Sequence, residues 1–82
     1  MYIVDFVWYL SLEKRFSLHT LQAYKNDLLE FESFISQNFQ VALIDVSHNF
    51  IRSWVVALME NAISPRSVRR KISTLSGFYK YL

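Results

Sequence analysis

The dipeptide Ser64-Pro65 is the sharpest helix boundary in the chain. A serine at the N-cap can accept a hydrogen bond from the first helical turn, and a proline at the next position has a helical φ already and no N–H that needs a partner. No other proline occurs in the sequence, so nothing of that kind interrupts the residues that follow. We therefore predict one helix from Pro65 to the end of the chain.

Caps and changes of pattern divide the rest of the chain into three more helical segments. We predict helices over residues 3–14, over residues 17–38 with Ser17 as the N-cap, and over residues 48–61 with Ser47 as the N-cap. Residues 39–46 are apolar without a helical face, so we expect a connection that crosses back over the core. Residues 1–82 are therefore predicted to form one all-α domain of four helices, without strands.

Composition supports a packed domain and excludes several kinds of site. Hydrophobic residues make up 52% of the 82 residues and aromatic residues 17%, which is more than a disordered chain contains. The length is near the lower limit for a core without metal or disulfide support. Cysteine is absent and the two histidines are far apart in sequence, so we expect no disulfide, no metal site and no cofactor.

The sequence shows no signal for export or for a membrane. The N-terminus lacks the basic region and the cleavage site of a secretory signal. The longest apolar run, residues 55–59, is far shorter than the roughly 20 residues that a bilayer requires. We predict a cytoplasmic protein with no membrane partner.

Apolar residues recur at helical spacing in the last three segments, and each series predicts a buried face. The third segment has the widest such face, so we predict that it is the most central helix. The predicted buried residues are Leu21, Tyr24, Leu28, Phe31 and Ile35 in the second segment, Ile51, Trp54, Val55, Leu58 and Met59 in the third, and Val68, Ile72, Leu75, Tyr79 and Leu82 in the fourth.

Charge is distributed unevenly along the chain. Residues 1–60 contain four basic and seven acidic side chains, whereas residues 61–82 contain five basic and no acidic ones. The start of the last helix combines unpaired backbone amides with cations, and both attract phosphate. Arg66, Arg69 and Arg70 could also bind guanine in the major groove. The alternative is an ordinary cap beside a solvated basic face.

The second segment is polar but not acidic in its first two turns, and its later turns contain Asp27, Glu30 and Glu32, which we interpret as a solubilising face. Only its first turns could therefore approach a phosphate backbone. No segment combines a nucleophile, a base and a group that stabilises developing charge. A single glycine also excludes a glycine-rich phosphate loop. We predict no catalytic residue and no small-molecule substrate.

Two segments resemble a known family. Residues 17–28 have the pattern S-x-x-T-x-x-x-Y-x-x-D-L, and residues 64–67 read S-P-R-S in a basic helix that ends in F-Y-K-Y-L. With an opening helix that ends in L-E-K, they resemble, in order, the N-terminal core-binding domain of tyrosine recombinases of the Xer and phage integrase type. The resemblance implies a four-helix SAM-like bundle that grips one face of a recombination half-site, and a separate catalytic domain that this chain lacks.

The same resemblance implies that the second and fourth helices face duplex DNA and that other recombinase subunits are partners. Helical periodicity places two of the implied contacts, Tyr24 and Lys71, nearer the core. The implied DNA contacts are Thr20, Gln22, Tyr24, Lys25, Ser64, Arg66, Ser67, Arg69, Arg70, Lys71 and Ser73.

Two other functions are compatible with these residues. A helical protein–protein interaction domain for subunit assembly would be favoured by exposed aromatic residues on the first helix, such as Phe6 or Trp8. A lipid-binding amphipathic helix would need an exposed apolar face, which a bundle already buries. Steep salt dependence of binding to duplex would favour DNA.

Overall fold

The computed structural model describes residues 2–82, in which helices are the only regular secondary structure. The predicted all-α fold of four helices is confirmed, and the predicted bounds differ from the observed ones by a few residues. A short 3₁₀ turn, Leu43–Asp45, lies in the connection between the second and third helices. The helices are α1 (Tyr2–Tyr9), which widens into a π-helical turn (Leu10–Lys14), α2 (Leu18–Phe39), α3 (His48–Glu60) and α4 (Pro65–Tyr81).

Serine side chains cap two of the helices as predicted. The hydroxyl oxygen of Ser17 accepts a hydrogen bond from the Thr20 amide at 3.2 Å, and that of Ser64 accepts one from the Ser67 amide at 3.2 Å. Ser47 occupies the N-cap position of α3 as predicted, but its side chain makes no capping hydrogen bond. There the Ser47 carbonyl closes the turn by accepting from the Phe50 amide at 3.1 Å.

The first three helical segments end in the same way without a glycine. Each of them ends at a residue in the left-handed region, a conformation that costs about 1 kcal/mol or more. The next residue is apolar, and its amide donates a hydrogen bond to the carbonyl oxygen five or six positions earlier. This bond turns the chain back toward the core. The left-handed residues are Arg15, Gln40 and Ala62, and the apolar residues after them are Phe16, Val41 and Ile63.

Helix α2 is the central element of the bundle, because it packs against α1, α3 and α4. Leu28, Phe31 and Ile35 are fully buried, and the Phe31 ring lies 5.1 Å from the Trp54 ring of α3. The prediction that α3 is the most central helix is wrong. Its Met59 is 65% exposed, since α3 contacts only α2 and α4 closely enough to bury one side.

The buried face of α4 differs from the predicted one. Val68 and Leu75 are buried as predicted, but Ile72 and Leu82 are 40% and 49% exposed. At about 100° per residue, the observed face is rotated by roughly 60° from the apolar series. The rotation brings three residues outside that series into the core, namely Lys71, Thr74 and Phe78.

Tyr79 lies at the edge of this face and is partly buried. Its hydroxyl donates a hydrogen bond to the Leu43 carbonyl oxygen at 2.8 Å, which ties the connection after α2 to α4. Burial raises the pKa of Tyr79 to about 12. Tyr79 therefore remains a neutral donor at ordinary pH.

An ion cluster at the contact between α2 and α4 explains the rotation of α4. The buried Asp27 carboxylate accepts hydrogen bonds from Arg70 Nε at 3.1 Å and Nη2 at 2.8 Å, from Lys71 Nζ at 3.0 Å and from Thr74 Oγ1 at 3.0 Å. Lys71 Nζ also donates to Glu30 at 2.7 Å. We call these five residues the Asp27 cluster. The interpretation of Asp27 as part of a solubilising face is wrong.

Hydrogen bonding decides the protonation state of Asp27. Burial alone would raise its pKa, but the bonds from Arg70, Lys71 and Thr74 outweigh burial and hold the pKa below its ordinary value. The bond to Asp27 in turn raises the pKa of Arg70. Among residues 2–82, every buried polar side-chain atom has a hydrogen-bond partner. The cluster is therefore a fully bonded, ionised contact between two helices.

Replacing Leu75 with alanine should lower the free energy of unfolding by about 2 to 5 kcal/mol, because the side chain is fully buried. Ile72→Ala is the matched control on the same helix and should cost less than about 1 kcal/mol. Urea denaturation followed by circular dichroism measures both. Equal losses would contradict the observed orientation of α4.

Asp27→Asn should cost about 3 to 5 kcal/mol at pH 7, because it removes one charge from a buried ion cluster. The folded-state pKa of Asp27 lies below its unfolded value, so its stabilisation is present above the unfolded pKa and is lost as pH falls through the folded one. The free energy of unfolding, measured by urea denaturation from pH 7 to pH 2, should fall less in the variant than in the wild type. Glu13→Gln, at an exposed carboxylate outside the Asp27 cluster, is the control and should cost less than about 1 kcal/mol.

Candidate nucleic-acid interface

The N-terminus of α4 presents cations beside a capped helix end. The Ser64 hydroxyl is bonded both to the Ser67 amide and to the Ser67 hydroxyl, each at 3.2 Å, which fixes the first turn. Pro65, in the first turn, has no N–H of its own that needs a partner. Arg66 and Arg69 are exposed. Positive side chains are therefore added to the positive end of the helix dipole.

One face of α4 carries polar and basic residues from end to end. At about 100° per residue, Arg66, Ser73, Gly77 and Lys80 lie within roughly 60° of one another around α4. Arg66, Ser73 and Lys80 are exposed. Arg69 lies beside this face, near Met59 and Ile63. These residues form a continuous surface along the helix, which we call the α4 basic face.

Arg70 belongs to the Asp27 cluster and not to the free cations. Two nitrogen atoms of its guanidinium group are bonded to the Asp27 carboxylate, while 42% of the side chain stays exposed. The apolar series of α4 predicted that Arg70 lies opposite the core and is free to bind DNA. The structure places it at the edge of the core instead, with one side of the guanidinium group committed to Asp27.

Lys71 is the clearest correction to the set of residues implied by the resemblance. Its side chain is 7% exposed and its ammonium group is bonded to Asp27 and Glu30. It also lies over the Trp54 ring, 5.8 Å from the centroid. A buried cation with two carboxylate partners cannot reach a phosphate, so periodicity was right to place Lys71 near the core.

The predicted contacts on α2 fall on two sides of that helix. Thr20 and Tyr24 lie toward α4, and Tyr24 lines the same cleft as Ser73. Thr20 is half-buried, and its hydroxyl is bonded to that of Ser17 at 3.0 Å. Gln22 and Lys25 are exposed on the other flank, where Lys25 lines a cavity with Trp8. Of these four residues, only Tyr24 lines a cleft together with residues of α4.

Three cations of α4 remain without a carboxylate partner. Within residues 2–82, Arg66, Arg69 and Lys80 form no ion pair, whereas Arg70 and Lys71 are paired with Asp27 and Glu30. Two negative and two positive charges cancel inside the cluster. The excess positive charge of the last quarter of the chain therefore lies on the α4 basic face.

Sequence reasoning missed Asp27 as the residue that orients this surface. One signal was available: Asp27 directly precedes the core residue Leu28 and lies three residues after Tyr24, on the flank of α2 that faces α4. Apolar periodicity assigns charged residues to the exposed side of a helix, so it could not identify Asp27 as buried. Only the position of Arg70 and Lys71 across the helix contact identifies its role.

Residues 2–82 place neither Tyr79 as a nucleophile nor a group of side chains as a metal site. Tyr79 donates to a backbone carbonyl and its pKa is raised, so it is not an activated nucleophile. No group of three or more histidine, aspartate or glutamate side chains in residues 2–82 is placed to hold a metal ion. No helix in this range has both the length and the apolar character needed to cross a membrane.

Comparison with known proteins gives a consistent result. The sequence profile of the phage integrase N-terminal SAM-like domain matches residues 3–82. The tyrosine recombinase XerC of Oceanobacillus iheyensis is 40% identical over 82 residues, which are 100% of this chain and 27% of that protein. The tyrosine recombinase XerD of Rickettsia bellii is 33% identical over 81 residues, 99% of this chain and 26% of that protein. No solved structure matches.

The chain thus spans about a quarter of the length of these relatives. The profile match covers nearly all of it, and both the ordered motifs and the four-helix architecture agree with that match. The chain belongs to the phage integrase N-terminal SAM-like domain family, in the form found in Xer-type tyrosine recombinases.

Proposed function

We propose that this chain is the duplex-DNA-binding domain of a site-specific tyrosine recombinase. It grips one face of a recombination half-site, in the cytoplasm, while another part of the full-length protein cleaves and rejoins the strands. The observation that carries the proposal is the α4 basic face, whose cations Arg66 and Arg69 are exposed and unpaired beside a capped helix N-terminus.

The binding energy is expected to come mainly from phosphates. Arg66 and Arg69 lie on a helix long enough to cross a major groove, since 17 residues at about 1.5 Å each span roughly 25 Å. The hydroxyls of Ser67 and Ser73 add donors along the same helix. Lys71 is not among the proposed contacts, and Gln22 and Lys25 are peripheral ones. The main proposed contacts are Thr20, Tyr24, Ser64, Arg66, Ser67, Arg69, Arg70 and Ser73.

Titration of short duplex DNA at several salt concentrations tests this proposal. Each lost phosphate contact should make the log–log salt slope shallower by about 0.9, so Arg66→Ala/Arg69→Ala should reduce it by about 2. Arg70 is left intact, because its loss would also disturb Asp27. Arg52→Ala, at an exposed arginine of α3, is the control for a lost charge.

A wild-type domain that does not bind duplex even at low salt would contradict the proposal. Binding with an unchanged slope in Arg66→Ala/Arg69→Ala would move the DNA surface away from α4. Circular dichroism of each variant separates a loss of binding from a loss of folding.

A second function, contact with other subunits, is favoured by the exposed apolar residues of the first helix. Trp8 is 61% exposed and Leu12 is 66% exposed, whereas Phe6 is buried. Tryptophan is frequent at the energetic centre of protein interfaces. We propose that this surface contacts a neighbouring recombinase subunit when several are bound to DNA.

Trp8→Ala should weaken the cooperative binding of several molecules to a duplex that carries two half-sites, without changing binding to one half-site. Electrophoretic mobility shifts with the two duplexes measure this difference. Met59→Ala, at an exposed apolar residue of α3, is the control. Equal cooperativity in all three proteins would exclude Trp8 from the interface.

A further inference from the structure

A cleft of about 340 Å³ lies between the first helix, α2 and α4, beside the α4 basic face. Its sides are aromatic. The Tyr9 and Tyr81 rings lie 4.9 Å apart on one side, and the Phe16 and Tyr24 rings lie 5.6 Å apart on the other. Ser73, Gly77 and Lys80 of the α4 basic face line the same cleft.

Gly77 keeps this cleft open on the α4 side. It is the only glycine in the chain, and it lies inside a helix where no left-handed backbone requires it. A Cβ atom at this position would lie 3.6 Å from the Phe6 ring, an ordinary contact distance. A longer side chain would extend into the space between Ser73 and Lys80. The absence of a side chain therefore leaves a notch in the α4 basic face.

Two lysines from opposite ends of the sequence line the cleft. Lys14 comes from the π-helical turn after α1, and Lys80 comes from the last turn of α4. No carboxylate lines the cleft, and within residues 2–82 neither lysine forms an ion pair. Two unneutralised ammonium groups beside hydroxyl donors attract an anion, and Ser73 lies between them and Arg66 along α4.

The distance along α4 indicates which anion fits. Lys80 follows Arg66 by 14 residues, or about 21 Å, and lies within roughly 40° of it around the helix. The major groove of B-DNA is about 12 Å wide between its backbones. Because 21 Å exceeds this width, a helix that crosses the groove obliquely, with its N-terminus at one backbone, reaches the other backbone with its C-terminal part.

We propose that this cleft is a second phosphate-binding site for duplex DNA, in which Lys14 and Lys80 bind the backbone on the far side of the groove from Arg66 and Arg69. This inference rests on the proposed function and extends it to the first helix, which no motif of the chain assigns to DNA. The two sites anchor the two ends of α4.

The test is a salt titration of a short duplex with Lys14→Ala, Lys80→Ala and their double variant, with Arg52→Ala as the matched loss of one charge. Each lysine variant should make the log–log slope shallower by about 0.9 relative to the wild type, and the double variant by about 1.8. Arg52→Ala should leave the slope as in the wild type.

The outcomes separate this inference from the proposed function. If Arg66→Ala/Arg69→Ala lowers the slope while both lysine variants match Arg52→Ala, the proposed function stands and the second phosphate site is excluded. If the wild type does not bind duplex at all, both are excluded. Thermal unfolding of the lysine variants should match that of the wild type, since both side chains are exposed.

A pair of variants at Gly77 tests the notch itself. Gly77→Asp and Gly77→Asn place side chains of nearly equal size in the cleft and differ in charge. The aspartate variant should bind duplex at least tenfold more weakly than the asparagine variant at low salt, and the difference should shrink as salt rises. Equal affinities at low salt would overturn the proposal that a phosphate occupies the cleft.

Discussion

The ionised carboxylate of Asp27 joins the two helices on which the candidate interface depends. It accepts four hydrogen bonds from three residues of α4, and these bonds set how α4 is turned against α2. An isolated buried carboxylate would be strongly unfavourable, and here the cost is offset because both of its oxygen atoms are bonded and two cations neutralise it. The orientation of the α4 basic face follows from this contact.

The same cluster divides the cations of α4 into two groups. Arg70 and Lys71 are held by Asp27 and Glu30, so their charges are balanced inside the protein. Arg66, Arg69 and Lys80 point away from the core and are not paired within residues 2–82. A basic run in a sequence thus contributes in part to stability and in part to recognition, and the side of the helix on which each residue lies decides between the two.

Helix ends and aromatic contacts complete the support of this surface. The turns after the first three helical segments use left-handed residues other than glycine, and each is closed by a bond from the apolar residue that follows. The one glycine is instead placed inside α4, where Phe6 packs nearby and the cleft opens. Because α2 contacts all three other helices, it fixes the positions of the cleft, the Asp27 cluster and the core relative to one another.

The sequence by itself determined the all-α class, the four helices, the serine caps at Ser17 and Ser64, and the aliphatic and phenylalanine residues of the buried face of α2, because caps and apolar periodicity are local properties. It also indicated that the last helix is basic. Only the tertiary structure decided that Asp27 and Thr74 are buried, that Lys71 is bonded to Asp27 and Glu30, that α4 is turned by about 60° from its apolar series, and that Lys14 and Lys80 share one cleft. The reason is physical: a polar side chain is buried only when partners from another helix bond to it, and those partners are remote in sequence.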